Sequence, residues 1–188
     1  MKLLNKNAFI TGGSSGIGAA IATLFAKEGA NISFCHYNDD SKANHIIKTI
    51  NQFSKKNFAM NIDIGSKKNC ENFYEQSIKE IGQPDILVNN AGIIFARPFE
   101  EATEEEFDKT INVHLKSTFF LSQLCYQSMK EKKYGRIINI SSQLVFSGGP
   151  NRTDYCAAKG GIFAFSRALS LEAIKYNILV NTIAPGVA

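Results

Sequence analysis

Tyr155 and Lys159 stand four residues apart in Tyr155-Cys156-Ala157-Ala158-Lys159, with only small residues between them. On a helix that spacing puts both side chains on one face, about one turn from each other. An ammonium so placed favours phenolate over phenol, lowering the tyrosine's pKa from near 10 toward working pH and making it a usable acid or base. Upstream, Gly135-Arg136-Ile137-Ile138-Asn139-Ile140 reads as a buried strand that ends in the hydroxyls of Ser141-Ser142. Each feature alone has an ordinary structural explanation, an amphipathic helix start or a strand end. Their weight comes from the motifs that precede them.

The first of these is Thr11-Gly12-Gly13-Ser14-Ser15-Gly16-Ile17-Gly18, set between the apolar run Asn7-Ala8-Phe9-Ile10 and a segment whose apolar face carries Ile21, Leu24 and Phe25. The order is strand, glycine turn, helix. Glycines at 12, 16 and 18 supply positive φ and let a pyrophosphate approach backbone that no Cβ shields, while Ser14, Ser15 and Ile17 lead into a helix N-terminus with free N–H groups. A plain connector would use the same residues.

The end of the second strand, Phe34-Cys35-His36-Tyr37-Asn38, would meet an adenosine ribose. With no carboxylate at position 36 a 2′-phosphate is tolerated, and Tyr37 and Asn38 can donate to it, so NADP(H) is favoured and NAD(H) is second; half-exposed strand-end residues would look the same. Asp39 and Asp40 read as turn and helix N-cap. After the third strand, Asp63-Ile64 brings a carboxylate to the same edge, for an adenine amino group or for capping the helix ahead of Lys67. Asn89-Asn90-Ala91-Gly92 ends the fourth strand, its small residues letting backbone pass close to a flat ligand and its amides tying strands together.

These stretches belong to strands expected over Asn7–Thr11, Asn31–His36, Asn57–Asn61, Ile86–Asn89, Gly135–Ser141 and Leu179–Ala184. Between them helices are expected over Gly16–Glu28, Asp40–Lys55, Lys67–Ile81, Glu104–Lys132 and Asp154–Tyr176, with Gly29, Gly82 and Gly135 as punctuation. Alternation of this kind predicts an α/β fold, a Rossmann-type doubly wound parallel sheet in one domain, with ligands in a cleft where strand order reverses. At 188 residues, 44% hydrophobic and 20% charged, the chain fits one such domain. A net charge of +4 without a basic block gives nucleic-acid binding little support. Cys35, Cys70, Cys125 and Cys156 are widely spaced and have no metal-like spacing with His36, His45 and His114, so no metal site is expected and a reducing cytoplasm is inferred. No signal-peptide core or membrane-length apolar run is present.

Taken together, the motifs resemble the short-chain dehydrogenases/reductases over essentially the whole chain: T-G-x-x-x-G-x-G at Thr11–Gly18, Asp63-Ile64, Asn89–Gly92, Ser142, Tyr155 with Lys159, and Pro185-Gly186. The resemblance implies hydride transfer between a nicotinamide and a carbonyl or secondary alcohol. It makes Tyr155 the proton donor or acceptor, Ser142 the group that polarises and holds the substrate oxygen, and Lys159 the residue that tunes Tyr155 and grips the nicotinamide ribose. Asn90, Ala91, Gly92, Pro185 and Gly186 would border the cofactor.

The chain departs from the family pattern at two places. Where the family carries an asparagine that supports a water chain to the lysine, this sequence has His114, with Asn112 an offset substitute; an altered relay with retained activity is expected. Members also run some sixty residues further, supplying substrate-covering helices, a seventh strand and an oligomer interface, so a fragment is expected here. Among substrates the nearest general resemblance is to 3-oxoacyl-carrier-protein reductases and to sugar and hydroxyacyl dehydrogenases. An acidic carrier protein could then land on Lys132-Lys133 with Lys175, though solvated helix ends explain those lysines equally well. Phe95, Gln143, Phe146 and Arg152 flank the motifs as pocket candidates, and a homo-oligomer, dimer or tetramer, is expected of the full-length form. Two rivals remain: a non-catalytic nucleotide sensor or scaffold of the same fold, and a sugar-nucleotide epimerase or dehydratase.

Overall fold

The computed structural model describes residues 1–54 and 56–186. Six strands, β1 (Asn7–Thr11), β2 (Asn31–His36), β3 (Asn57–Asn61), β4 (Ile86–Asn89), β5 (Gly135–Ile140) and β6 (Ile178–Ile183), form one parallel sheet ordered β3-β2-β1-β4-β5-β6. β1 and β4 are near-continuous apolar runs because helices cover both faces of the sheet. Alternation along β1 sends Phe9 to one layer, with Phe73, Leu87, Leu121 and Met129, and Ala8 and Ile10 to the other, with Ala22, Ile32, Phe34 and Ile50. The chain winds outward from β1 through β2 to β3, then returns to lay β4 on the other flank of β1. Loops on either side of that reversal part at the strands' carboxyl ends and leave a cleft.

The helices are α1 (Gly16–Lys27), α2 (Asp40–Ile50), α3 (Lys67–Ile81), α4 (Glu104–Ile111), α5 (Ser117–Lys132), α6 (Leu144–Ser147) and α7 (Thr153–Ala173). Ser66 caps α3 through the Asn69 N–H, and Thr103 caps α4 through the Glu106 N–H. The helix expected over Glu104–Lys132 is continuous but changes pitch: Asn112–Lys116 form a π turn between α4 and α5. The wider turn holds Val113 and His114 both inward, and the Ser117 and Thr118 hydroxyls donate to the carbonyls of Val113 and His114.

Other differences are local. α2 ends at Ile50 and gives way to a turn; Lys55, the expected helix end, lies outside the described residues, as do Val187 and Ala188. α6 follows Ser142 without a periodic pattern to announce it. The lysines expected beside the cleft are at the wrong end of the sheet. Each helix feeds the amino end of the following parallel strand, so Lys132 and Lys133, just before β5, and Lys175, just before β6, sit opposite the cleft. Lys132 there bonds the Pro84 carbonyl and Asp85 ahead of β4. They form no landing surface for a substrate carrier beside the site.

Candidate active site

The cleft has two lobes that share Gly12, Ser15, Ala91, Gly92 and Ile93. Its floor is set by strand-end polar contacts. Thr11 Oγ1 accepts from the N–H groups of Asn90 and Ala91, and Asn90 Nδ2 donates to the carbonyls of Thr11 and Gly12, so the loops after β1 and β4 are fastened together. Below them Asn89 Nδ2 donates to Asn139 Oδ1 at 2.8 Å, tying β4 to β5, and Asn139 donates on to Ser166 of α7.

The larger lobe, about 510 Å³, gathers Ser142, Tyr155, Lys159 and His114 with Ile17, Ile94, Pro185 and Gly186. Ser142 leaves the end of β5; its Oγ accepts from the Leu144 N–H, which frees its own O–H to donate elsewhere. Lys159, nearly fully buried, donates from Nζ to the Ile140 carbonyl at 2.6 Å and lies 5.7 Å from the centre of the Tyr155 ring. Burial disfavours its charge and brings its pKa down to about 8, so the ammonium persists at neutral pH. Ser141 fixes the pair by donating to the Lys159 carbonyl, joining β5 to α7.

His114 meets Tyr155 edge to face, ring centres 5.3 Å apart. Its Nε2 is within hydrogen-bond reach of both the N–H and the carbonyl of Ile93, while buried Nδ1 has no partner among the described residues. Burial first, and the Lys159 charge second, push the imidazole pKa down to about 4, so it is neutral under ordinary conditions. Gly92 is a consequence of this ring: a Cβ there would strike His114 Cε1. One helical turn earlier Thr110 donates to Asp154 Oδ2 at 2.9 Å, and Arg97 reaches the same oxygen at 3.4 Å and Glu106 at 2.7 Å, the latter as an ion contact too poorly angled for a hydrogen bond. Burial tends to raise the Asp154 pKa, but Thr110, the Tyr155 N–H and Arg97 outweigh it and hold it below the usual carboxylate value. Asp154 thus anchors the start of α7 immediately before Tyr155.

The smaller lobe, about 220 Å³, is lined by Ser14, His36, Tyr37, Asp39, Asp63, Ile64, Lys109 and Val113. Asp63 does not cap α3, a task Ser66 performs; its Oδ1 accepts from the Gly65 N–H and its Oδ2 pairs with Lys109. These contacts overcome the effect of burial and keep its pKa low. Asp39 occupies the N-cap position of α2 but makes no cap bond, contrary to the role expected for it; its carboxylate accepts from Ser14 Oγ at 3.3 Å.

Most of the expected site residues therefore converge. Gly16, Gly18 and Asn38 do not line either lobe. Gly18 acts through packing, since a Cβ would collide with the Gly12 carbonyl and the Asn90 amide. Asn38 takes positive φ and receives the Asn61 side chain on its N–H. Of the pocket candidates, Phe95 lines a separate groove, Gln143 packs on Gly186, Phe146 is exposed against Phe163, and Arg152 lines neither lobe. Ile93, Ile94, Asp39, Lys109 and Val113 are lining residues that the sequence motifs did not single out.

A nicotinamide dinucleotide fits this cleft: Gly12 and Gly18 leave a cradle that side chains would fill, between one lobe with a proton-transfer set and another with polar acceptors. Residues 6–188 match the short chain dehydrogenase family. The chain belongs to that family. It is 38% identical over 99% of its length, and 74% of the relative's, to a (2S)-[(R)-hydroxy(phenyl)methyl]succinyl-CoA dehydrogenase subunit of Thauera aromatica. Identity to the 3-oxoacyl-[acyl-carrier-protein] reductase of Rickettsia prowazekii is 36%, over 98% of this chain and 73% of that one. An L-rhamnose 1-dehydrogenase (NADP(+)) of Thermoplasma acidophilum is 37% identical over 96% and 72%. A crystal structure from Sinorhizobium meliloti assigned to the short-chain alcohol dehydrogenases superposes with a TM-score of 0.93 at 32% identity, over 98% of this chain and 73% of that one. As a short chain dehydrogenase the protein is an NAD(P)-dependent oxidoreductase of carbonyl and alcohol groups.

Proposed function

We propose that Ser142, Tyr155 and Lys159 carry out the reaction in the larger lobe, with His114 beside them, on a 3-oxoacyl or similar small carbonyl substrate. The observation that carries this reading is their convergence on one cavity that continues into the glycine cradle. When bound, NAD(P)(H) supplies or accepts the hydride. Ser142, its Oγ already accepting from Leu144, donates a hydrogen bond to the substrate oxygen and holds it for Tyr155, which gives or takes the one proton transferred. Lys159 spends one N–H on Ile140 and has others for the phenol and the nicotinamide ribose. His114, neutral and edge to face with Tyr155, would hydrogen-bond a water of a relay toward Lys159 through Nδ1.

Gly12, Ser14, Ser15, Gly16, Ile17 and Gly18 would hold the pyrophosphate, Asp63 and Ile64 the adenine, and Asn90, Ala91, Gly92, Pro185 and Gly186 the nicotinamide side. An acidic carrier protein presenting the substrate is proposed on the names of the reductase relatives, without the lysine surface. A homo-oligomer is supported by Phe119 on α5 and Leu171 on α7, large apolar side chains left exposed. A reducing, cytoplasmic setting is supported by free thiols at Cys35, Cys70, Cys125 and Cys156.

Loss of NADH or NADPH absorbance is to be followed with a panel of 3-oxoacyl thioesters, ketones and aldehydes. Turnover with at least one carbonyl is expected. Tight cofactor binding with no turnover across the panel would instead favour a nucleotide sensor.

A further inference from the structure

We propose that Arg97, Thr110 and Asp154 form a clamp that positions Tyr155 for proton transfer by holding the first turn of α7 in place. This rests on reading Tyr155 as the group that moves the proton. None of the three lines either lobe, so they are positioning residues that act through Tyr155.

Helix ends are where fraying begins, and Tyr155 lies in the first turn of α7. Arg152, at the N-cap position, makes no side-chain cap bond there. Lys159, one turn further on, is held independently: its Nζ donates to the Ile140 carbonyl and its own carbonyl accepts from Ser141. The turn that carries the phenol therefore needs a hold of its own, and the adjacent Asp154 provides it. The Asp154 side chain is only 5% exposed. Its Oδ2 accepts from the Thr110 hydroxyl of α4 at 2.9 Å and from the Arg97 guanidinium at 3.4 Å. Arg97 is fixed in turn: its N–H donates to the Asn151 carbonyl just before α7, its Cζ lies 5.7 Å from the centre of the Phe95 ring, and Glu106 of α4 faces its Nε at 2.7 Å.

The segment after β4, helix α4 and the start of α7 thus meet at one carboxylate oxygen. Because α4 runs directly into the π turn that carries His114, the same junction sets the phenol against the imidazole, ring centres 5.3 Å apart. Packing alone would be served better by apolar side chains of similar size, which avoid the cost of burying a carboxylate and a guanidinium. What a charged junction adds is direction, since a hydroxyl and a guanidinium must both point at one oxygen.

The test follows carbonyl-dependent NAD(P)H oxidation with the best carbonyl of the panel, cofactor binding by calorimetry, and hydrogen exchange, which is read without substrate. Asp154→Ala and Arg97→Gln should each lower kcat by about ten- to a hundredfold, with KM and cofactor Kd within about threefold because Lys159 keeps its own ties. Exchange should quicken over 153–158 and stay unchanged in β5. Arg97→Gln strands a buried carboxylate, so adding Asp154→Asn to it should recover at least about fivefold of the lost kcat. If either variant does not fold, Asp154→Asn alone and Thr110→Val are read by the same criteria, with smaller losses. Unchanged kcat in folded variants, exchange that quickens throughout the sheet together with equal losses of kcat and cofactor affinity, or no recovery in the double variant would each overturn the clamp. Undiminished turnover by Tyr155→Phe would instead remove the proton-transfer reading, and the clamp's role with it.

Discussion

His114 concentrates the chemistry of this site at the scale of one residue. It is held neutral by burial and by the neighbouring Lys159 charge, with its pKa brought to about 4. An unfolded histidine takes up its proton near 6.5, so between that value and 4 the unfolded chain binds protons that the native state refuses. The stability contributed by the uncharged ring is therefore complete above pH 6.5 and is lost as pH falls through 4, an effect on the order of 3 kcal/mol. His114→Asn should flatten this acid limb, seen as a smaller drop in the urea midpoint between pH 7 and pH 4.5. Because an amide can still take part in hydrogen bonding there, the same variant should keep or raise turnover. Complete loss of activity would show that the imidazole has an indispensable role. Lys159 stands in the opposite regime, charged at neutral pH and losing its proton near 8.

At the scale of elements, the π turn over Asn112–Lys116 is what aims His114 at Tyr155. Hydroxyls one turn further along donate to its carbonyls. Thr118 is buried and donates to the His114 carbonyl at 2.7 Å, so Thr118→Val should cost about 1–3 kcal/mol in urea unfolding; an unchanged midpoint would mean the carbonyl has another partner. This turn marks the limit of what could be read from the sequence. Strands β1 to β4 fall where they were expected; β1, β2 and β4 are buried and write themselves largely as apolar runs, while β3, at the sheet edge, is only half-buried. The pitch change in Glu104–Lys132 was hidden, because one extra residue in a helical turn leaves no periodic signature. Short α6 was hidden for the same reason. The residues proposed for catalysis were legible because they follow strand ends and a helical spacing. The smaller lobe was less so: Asp39 looked like a cap, but it makes no cap bond and instead takes the Ser14 hydroxyl.

At the scale of the whole molecule, the reversal between β1 and β4 gathers residues as distant as Gly12 and Lys159 into one cleft. The same parallel order carries Lys132, Lys133 and Lys175 to the opposite end, which a linear reading of charge cannot foresee. Amide ladders through Asn89, Asn139 and Ser166 and the staple from Thr11 to Asn90 then hold the two halves in register. We propose that this scaffold brings the Tyr155 phenol to a carbonyl beside a bound nicotinamide. It is tested most directly by Tyr155→Phe, measured for both NAD(P)H binding and carbonyl-dependent NAD(P)H oxidation. Losing the hydroxyl should leave cofactor affinity within about a factor of three, since the ring and Lys159 remain, while turnover falls by roughly 10²–10⁴-fold. A variant that binds cofactor and turns over as fast as the unsubstituted protein would show that the Tyr155 hydroxyl does not move the proton.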